Sequence, residues 1–144
     1  KRRSLLAVNS FLEFFAPLRL RNTVIVAVPG SNPCNQSGIR ILADEVGKLI
    51  GCQTFSDSLK RTREIPKKST GGTRDYEQEL DSLKLDDAER FKGKNILLMD
   101  DVITTGGTMS ACEEIIIRNS EPKSVVRFAL GKTYSDYSNE DTPF

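Results

Sequence analysis

The chain contains no histidine among its 144 residues, which removes the side chain that most often serves as a general base near neutral pH, and with it any His-containing metal site. Acid and base work then falls to Asp, Glu, Lys, Tyr or to electrostatics supplied by Arg. Cysteine is scarce: Cys34, Cys52 and Cys112 are odd in number and show no Cys-x-x-Cys pair. Neither a disulfide framework nor a zinc ribbon is expected, and a reducing cytoplasmic location follows. Cys34 lies in a polar loop, but without a histidine to activate it the reading as an ordinary small residue is favoured over a nucleophile. No run of about 18 apolar residues exists, so no membrane span is expected. Lys1-Arg2-Arg3 before Leu5-Leu6-Ala7-Val8 superficially resembles a secretory leader, yet Asn9, Ser10 and Glu13 break the apolar run early. An excess of one charge is also missing, with 21 basic against 20 acidic residues, so bulk electrostatics do not demand a polyanionic partner such as nucleic acid. Two nucleotide loops are absent: no Gly-Lys-Ser/Thr ending and no Gly-x-Gly-x-x-Gly after a strand.

What is present reads as one α/β domain over residues 1–144, with a mostly parallel central sheet flanked by helices. Residues 1–20 form an amphipathic helical pattern through Leu5, Val8, Leu12, Phe15 and Leu18, which Pro17 would end or bend. Thr23 to Val28 are apolar on both faces, as in a central strand covered on each side. The turn-rich loop from Pro29 to Gly38 follows, then a helical pattern from Ile39 to Ile50 with Ser37 as N-cap and Gly51 as its stop. Cys52 to Leu59 give a weak strand pattern. Residues 60–74 are strongly basic, through Lys60, Arg61, Arg63, Lys67, Lys68 and Arg74, with little apolar anchoring, and are expected to be a flexible loop. Such a loop can close over a diphosphate as a lid, or be a solvated surface, or touch a nucleic-acid backbone. The acidic stretch Asp75 to Glu89 is expected to be a solvated connection, with Leu83 and Leu85 on a short strand. A last strand covers Ser124 to Leu130.

The densest chemistry lies between Ile96 and Thr108, where an apolar strand ends in Asp100-Asp101 and then in Val102-Ile103-Thr104-Thr105-Gly106-Gly107-Thr108. Met109, Ala111, Cys112, Ile115, Ile116 and Ile117 place a helix directly after the turn. The unpaired amides and positive dipole end of that helix attract an anion, and the carboxylates suit sugar hydroxyls. A plain strand-to-helix turn would also use Thr and Gly, but it does not explain two adjacent carboxylates beside a core.

This segment resembles the phosphoribosyl-pyrophosphate (PRPP) motif of type I phosphoribosyltransferases: apolar residues, two acidic residues, then Thr-Thr/Ser-Gly-x-Thr. The resemblance implies transfer of a 5-phosphoribosyl group from PRPP to a nitrogenous base or amine, with release of pyrophosphate. It implies that Asp100 and Asp101 bind the ribose hydroxyls and that Ile103, Thr104, Thr105, Gly106, Gly107 and Thr108 hold the 5-phosphate. Pro29, Gly30, Ser31 and Asn32 would face the pyrophosphate, and Lys60 or Arg61 would contact the leaving group. Magnesium would arrive on PRPP near Asp100 and Asp101, without direct protein ligation. Only a minimal hood would fit after Gly131, and a homodimer is compatible with the family. Across most of residues 24 to 131, Asn35-Gln36-Ser37, Leu42-Ala43, Leu59 to Arg63 and Arg74 also resemble the phosphoribosyltransferase domain of the competence protein ComF group. That group's Arg-Gly-Phe is replaced here by Asn32-Pro33-Cys34. The alternative reading is a PRPP-binding regulatory or interaction domain that has lost transfer chemistry, in a ComF-like competence or DNA-processing role.

Overall fold

The computed structural model describes residues 20–34, 37–65 and 73–132. Four parallel strands form the central sheet in the order β2-β1-β5-β6: β1 Thr23–Ala27, β2 Gln53–Thr54, β5 Asn95–Ile103 and β6 Ser124–Lys132. Helices α1 (Gly38–Ile50) and α3 (Gly107–Ser120) make the crossovers. Between them, β3 (Leu59–Arg61) and β4 (Leu83–Leu85) form an antiparallel ribbon, joined through helix α2 (Thr73–Ser82). A single 3-10 turn, Ala88–Phe91, leads into β5.

The two-residue period of a strand explains how β1 and β5 come to be apolar on both faces. Val24, Val26, Ile96 and Leu98 point to one side, against Met109, Cys112 and Ile116 of α3 and against Leu59, Leu83 and Phe91. Ile25, Ala27, Leu97 and Met99 point to the other, against Ile39, Ala43 and Val46 of α1. Residue-by-residue pairing of β5 with both neighbours, for instance Met99 opposite Ala27 and Phe128, locks this register, because a one-residue slip would exchange the two layers. Gly51 closes α1 in the left-handed conformation at φ 70°, with the Cys52 N–H donating to the Gly47 carbonyl at 2.9 Å.

Three expectations require correction. The strand expected from Cys52 to Leu59 is only two residues long in the main sheet; after the Phe55 N–H donates to the Ile25 carbonyl, the turn formers Ser56, Asp57 and Ser58 redirect the chain. Leu59 therefore belongs to β3. The acidic stretch is largely helix rather than a solvated connection: Tyr76 and Leu80 of α2 pack on the core, and the Tyr76 hydroxyl donates to Glu114 of α3. Lys60 and Arg61 are strand residues, not part of a flexible loop, paired with Lys84 and Leu83. The remaining basic residues between 66 and 72, residues 1–19, Asn35, Gln36 and the hood region after Lys132 lie outside the described residues. Among the described residues no helix is long and apolar enough to cross a membrane.

Phe91 is wholly buried and meets Phe55 edge-on, at 5.4 Å between ring centroids and 79° between planes. It plugs the junction between ribbon and sheet. Phe91→Ala is expected to cost about 3–5 kcal/mol, read as a lower urea midpoint; a loss below about 1 kcal/mol would show that this junction carries little of the fold.

Candidate functional site

The site arises from unequal strand lengths. β1 leaves the sheet after Ala27, its last bond being from the Val28 N–H to the Met99 carbonyl at 2.8 Å, while β5 continues beside β6 as far as Ile103. Among the described residues, one side of β5 has no strand partner from Asp100 onward. The two carboxylates fill that gap locally: Asp100 Oδ1 accepts the Asp101 N–H at 2.8 Å, and Asp101 Oδ1 accepts the Val102 N–H at 2.7 Å. Asp100 is half-buried and Asp101 exposed, in keeping with the alternation of the strand. Burial pushes the Asp100 carboxyl up to about 7; the neighbouring Asp101 charge adds to the rise, whereas the bond from the Asp101 amide and the nearby Arg61 charge oppose it.

The chain then turns through Thr104 and Thr105 into Gly106, whose φ of +81° is the left-handed region that suits glycine. Gly106 is the N-cap of α3 and has no side chain to close the first helical turn. The amides at this mouth lie with the positive end of the helix dipole. Asp100, Val102 and the whole turn from Ile103 to Met109 line one cleft of about 240 Å³ including its open side, and buried Met109 anchors the turn from below. Thus Ile103, Thr104, Thr105, Gly106, Gly107 and Thr108 are brought together with Asp100. Asp101 does not line this cleft.

A second cleft, about 420 Å³ with its open side, follows β1. It is lined by Pro29, Gly30, Asn32, Pro33, Arg40, Lys60 and Arg61. Ser31 does not line it; its carbonyl accepts the Ile65 N–H at 3.2 Å. Asn32 Oδ1 accepts the Cys34 N–H at 2.8 Å, which stiffens the loop as an Asx turn. Lys60 Nζ pairs with Asp86 at 2.9 Å, and Lys84 shares the same carboxylate at 3.0 Å.

Arg61 is only 7% exposed and each of its three guanidinium nitrogens has a partner within the protein. Nε donates to the Gly30 carbonyl at 3.2 Å, Nη1 to Ser82 Oγ at 2.6 Å, and Nη2 forms an ion pair with Glu79 Oε2 at 2.6 Å. Glu79 Oε1 in turn accepts from Thr108 Oγ1 at 3.1 Å. One chain of contacts therefore joins the loop after β1 to the first turn of α3. Sequence reasoning missed Glu79, although Tyr76, Glu79, Leu80 and Leu83 follow the spacing of an inward helix face. It also missed Arg40, whose signal is a cation in the first turn of α1, where the helix dipole disfavours one.

Cys112 is buried, and desolvation holds its thiol far above the usual range, so it behaves as a small apolar residue. Among the described residues no group of three or more His, Cys, Asp or Glu side chains could hold a metal ion by itself.

The chain matches the family model for the phosphoribosyl transferase domain over residues 21–131. An adenine phosphoribosyltransferase of Desulforamulus reducens is 34% identical over 58 residues, which is 40% of this chain and 34% of that protein. Among solved structures, the adenine phosphoribosyltransferase of Saccharomyces cerevisiae, complexed with an imino-altritol bisphosphate and adenine, superposes with a TM-score of 0.56 at 16% identity, covering 88% of this chain and 64% of that one. A hypoxanthine phosphoribosyltransferase of Staphylococcus aureus gives 0.54 at 12% identity, covering 90% and 72%. These likenesses show the fold. The chain spans about a third of the bacterial relative and under two thirds of the yeast enzyme.

Two outcomes follow from this geometry. The folded-state value of Asp100 lies above the ordinary carboxylate value, so the native protein holds this proton more tightly than the unfolded chain. Its contribution is fully present below about pH 4 and is lost as pH rises through about 7. The melting temperature of the ligand-free protein should fall across that window, and Asp100→Asn should flatten the fall; an unchanged slope would contradict the assignment. Glu79→Gln leaves the buried Arg61 charge unpaired and should cost on the order of 3 kcal/mol in urea unfolding. A neutral result would remove the bridge from the account.

Proposed function

The chain belongs to the phosphoribosyl transferase domain family, and on that premise we propose that it binds PRPP and transfers the 5-phosphoribosyl group to a nitrogen acceptor, releasing pyrophosphate. One observation carries this reading: Asp100 and the uncapped turn of residues 103–108 line a single cleft, beside a cationic cleft on the neighbouring strand's loop. The order of chemistries suits the substrate, with the helix mouth for the phosphate, the strand end for the diol and the loop after β1 for the diphosphate.

In this reading the bond from the anomeric carbon to the diphosphate oxygen breaks, its electron pair leaving with the diphosphate, while the acceptor nitrogen forms the new bond and gives up a proton. The ring passes through a state of oxocarbenium character. Asp100 and Asp101 orient the ribose hydroxyls, and their negative field favours the positive charge that develops on the ring. The half-buried Asp100 is poised near neutrality in the free protein, so a cationic ring or a bound cation draws it into the ionised form. The oxygen donors at Asp100 and Asp101 fit a magnesium ion held mainly by substrate oxygens, which when bound would neutralise diphosphate charge. The phosphate turn contributes position and little else, because its dipoles are fixed before the substrate arrives.

A cytoplasmic setting and a homodimer accompany this reading. Purine acceptors head the panel to be tested, since the relatives include adenine and hypoxanthine enzymes. Pyrophosphate release is measured with magnesium PRPP and adenine, hypoxanthine, guanine, uracil, orotate or simple amines. At least one acceptor should support turnover, and the double variant Asp100→Asn with Asp101→Asn should lower kcat/KM by roughly 100-fold or more. Tight PRPP binding without release for every acceptor would overturn transfer and leave a PRPP-binding regulatory domain.

A further inference from the structure

We infer that Arg40, rather than Arg61, is the guanidinium that grips the diphosphate end of the substrate, a refinement that rests on the PRPP reading above. Both arginines line the cleft after β1, but they differ in what they already hold. Arg61 has each of its three guanidinium nitrogens committed to Gly30, Ser82 or Glu79. Its charge is matched by a carboxylate and its side chain is packed away from solvent. It is a tie, and moving it toward a ligand would break the bridge between the two clefts.

Arg40 has the opposite character. Among the described residues it forms no ion pair with a carboxylate, and its Nε is buried without a hydrogen-bond partner. A buried guanidinium N–H left unpaired costs free energy, so its retention in the cleft wall calls for an acceptor from outside. The surroundings make the deficit worse. The bond to Asp86 raises the Lys60 value and the Arg40 charge opposes that rise only weakly, while Lys60 and Lys84 share the single carboxylate of Asp86. The backbone placement is unfavourable too, since a cation in the first turn of α1 opposes the helix dipole.

A further orphan sits three residues earlier: Ser37 Oγ is buried with no partner and makes no cap bond to its own helix. A dianionic or trianionic group in this cleft would pair Arg40 and relieve the repulsion between cations; Ser37, though unpartnered, does not line the cleft. The loop residues Gly30 and Asn32 limit the cleft on its other side, leaving room for a group of diphosphate size.

The test compares wild type, Arg40→Gln and Arg61→Gln by calorimetric titration with magnesium PRPP, inorganic pyrophosphate and ribose 5-phosphate, alongside melting temperatures. Arg40→Gln should weaken PRPP and pyrophosphate binding by ~10- to 100-fold, leave ribose 5-phosphate within about two-fold, and hold or raise the melting temperature, because it removes repulsion. Arg61→Gln should lower the melting temperature. Wild-type affinity for PRPP and pyrophosphate in Arg40→Gln, or an equal loss for ribose 5-phosphate, would overturn the assignment while leaving PRPP as the substrate. If wild type bound pyrophosphate through Arg40 but ignored PRPP, the cleft assignment would stand and the proposed function would fall.

Discussion

The buried ion pair between Arg61 and Glu79 is the contact on which the arrangement of the site depends. Such pairs contribute little net stability, because the cost of taking both charges out of water offsets their attraction. Their effect is geometric. Arg61 reaches the Gly30 carbonyl and Glu79 reaches the Thr108 hydroxyl, so the loop after β1 and the first turn of α3 are held to a common strut that neither segment's own hydrogen bonds supply. The strut is built on the β3–β4 ribbon and on α2, which share no strand hydrogen bonds with the central sheet but pack on one of its faces through Leu59, Leu83, Tyr76 and Leu80. In this structure the ribbon is therefore more than a connection: it carries the residue that ties the loop after β1 to the start of α3.

Around that strut the protein tolerates electrostatic arrangements that a purely structural sequence would avoid. Asp100 is drawn into a place where burial opposes its charge. Arg40 stands in the wrong half of a helix for its sign, with a buried nitrogen unpaired among the described residues. Gly106 leaves the mouth of α3 without a side-chain cap. Each is a local cost. They occur together at the carboxyl ends of β1 and β5, where ligands gather in parallel α/β sheets, and each would be relieved by one part of a phosphorylated, hydroxylated ligand.

Much of this was legible in the amino-acid order. The two apolar strands, the glycine stop at Gly51, the helix after Gly107 and the convergence of Asp100 with residues 103–108 follow from periodicity and from the unusual sequence of chemistries at one strand end. Less could be read from residues 52–89. There the elements are two or three residues long, too short for a period to declare itself, and α2 has the composition of a solvated segment because only a narrow face, through Tyr76, Glu79 and Leu80, turns inward. Arg61 misled for a related reason. In a run of basic residues nothing distinguishes the one whose partner, Glu79, arrives from a helix later in the chain, and the pairing becomes visible only when β3 and β4 are set side by side. Arg40 was hidden by company, since one cation on an amphipathic helix resembles any other until its neighbours are known.

The orientation we propose has a single phosphorylated sugar with its terminal phosphate at the mouth of α3 and its diphosphate toward Gly30. A crystal structure with magnesium PRPP bound measures this directly. The account predicts the 5-phosphate within hydrogen-bond distance of the backbone amides of residues 104–108, the ribose hydroxyls at Asp100, and the Arg61–Glu79 pair undisturbed. A ligand bound in the reverse sense, or an Arg61 swung out of its pair to reach the diphosphate, would contradict it.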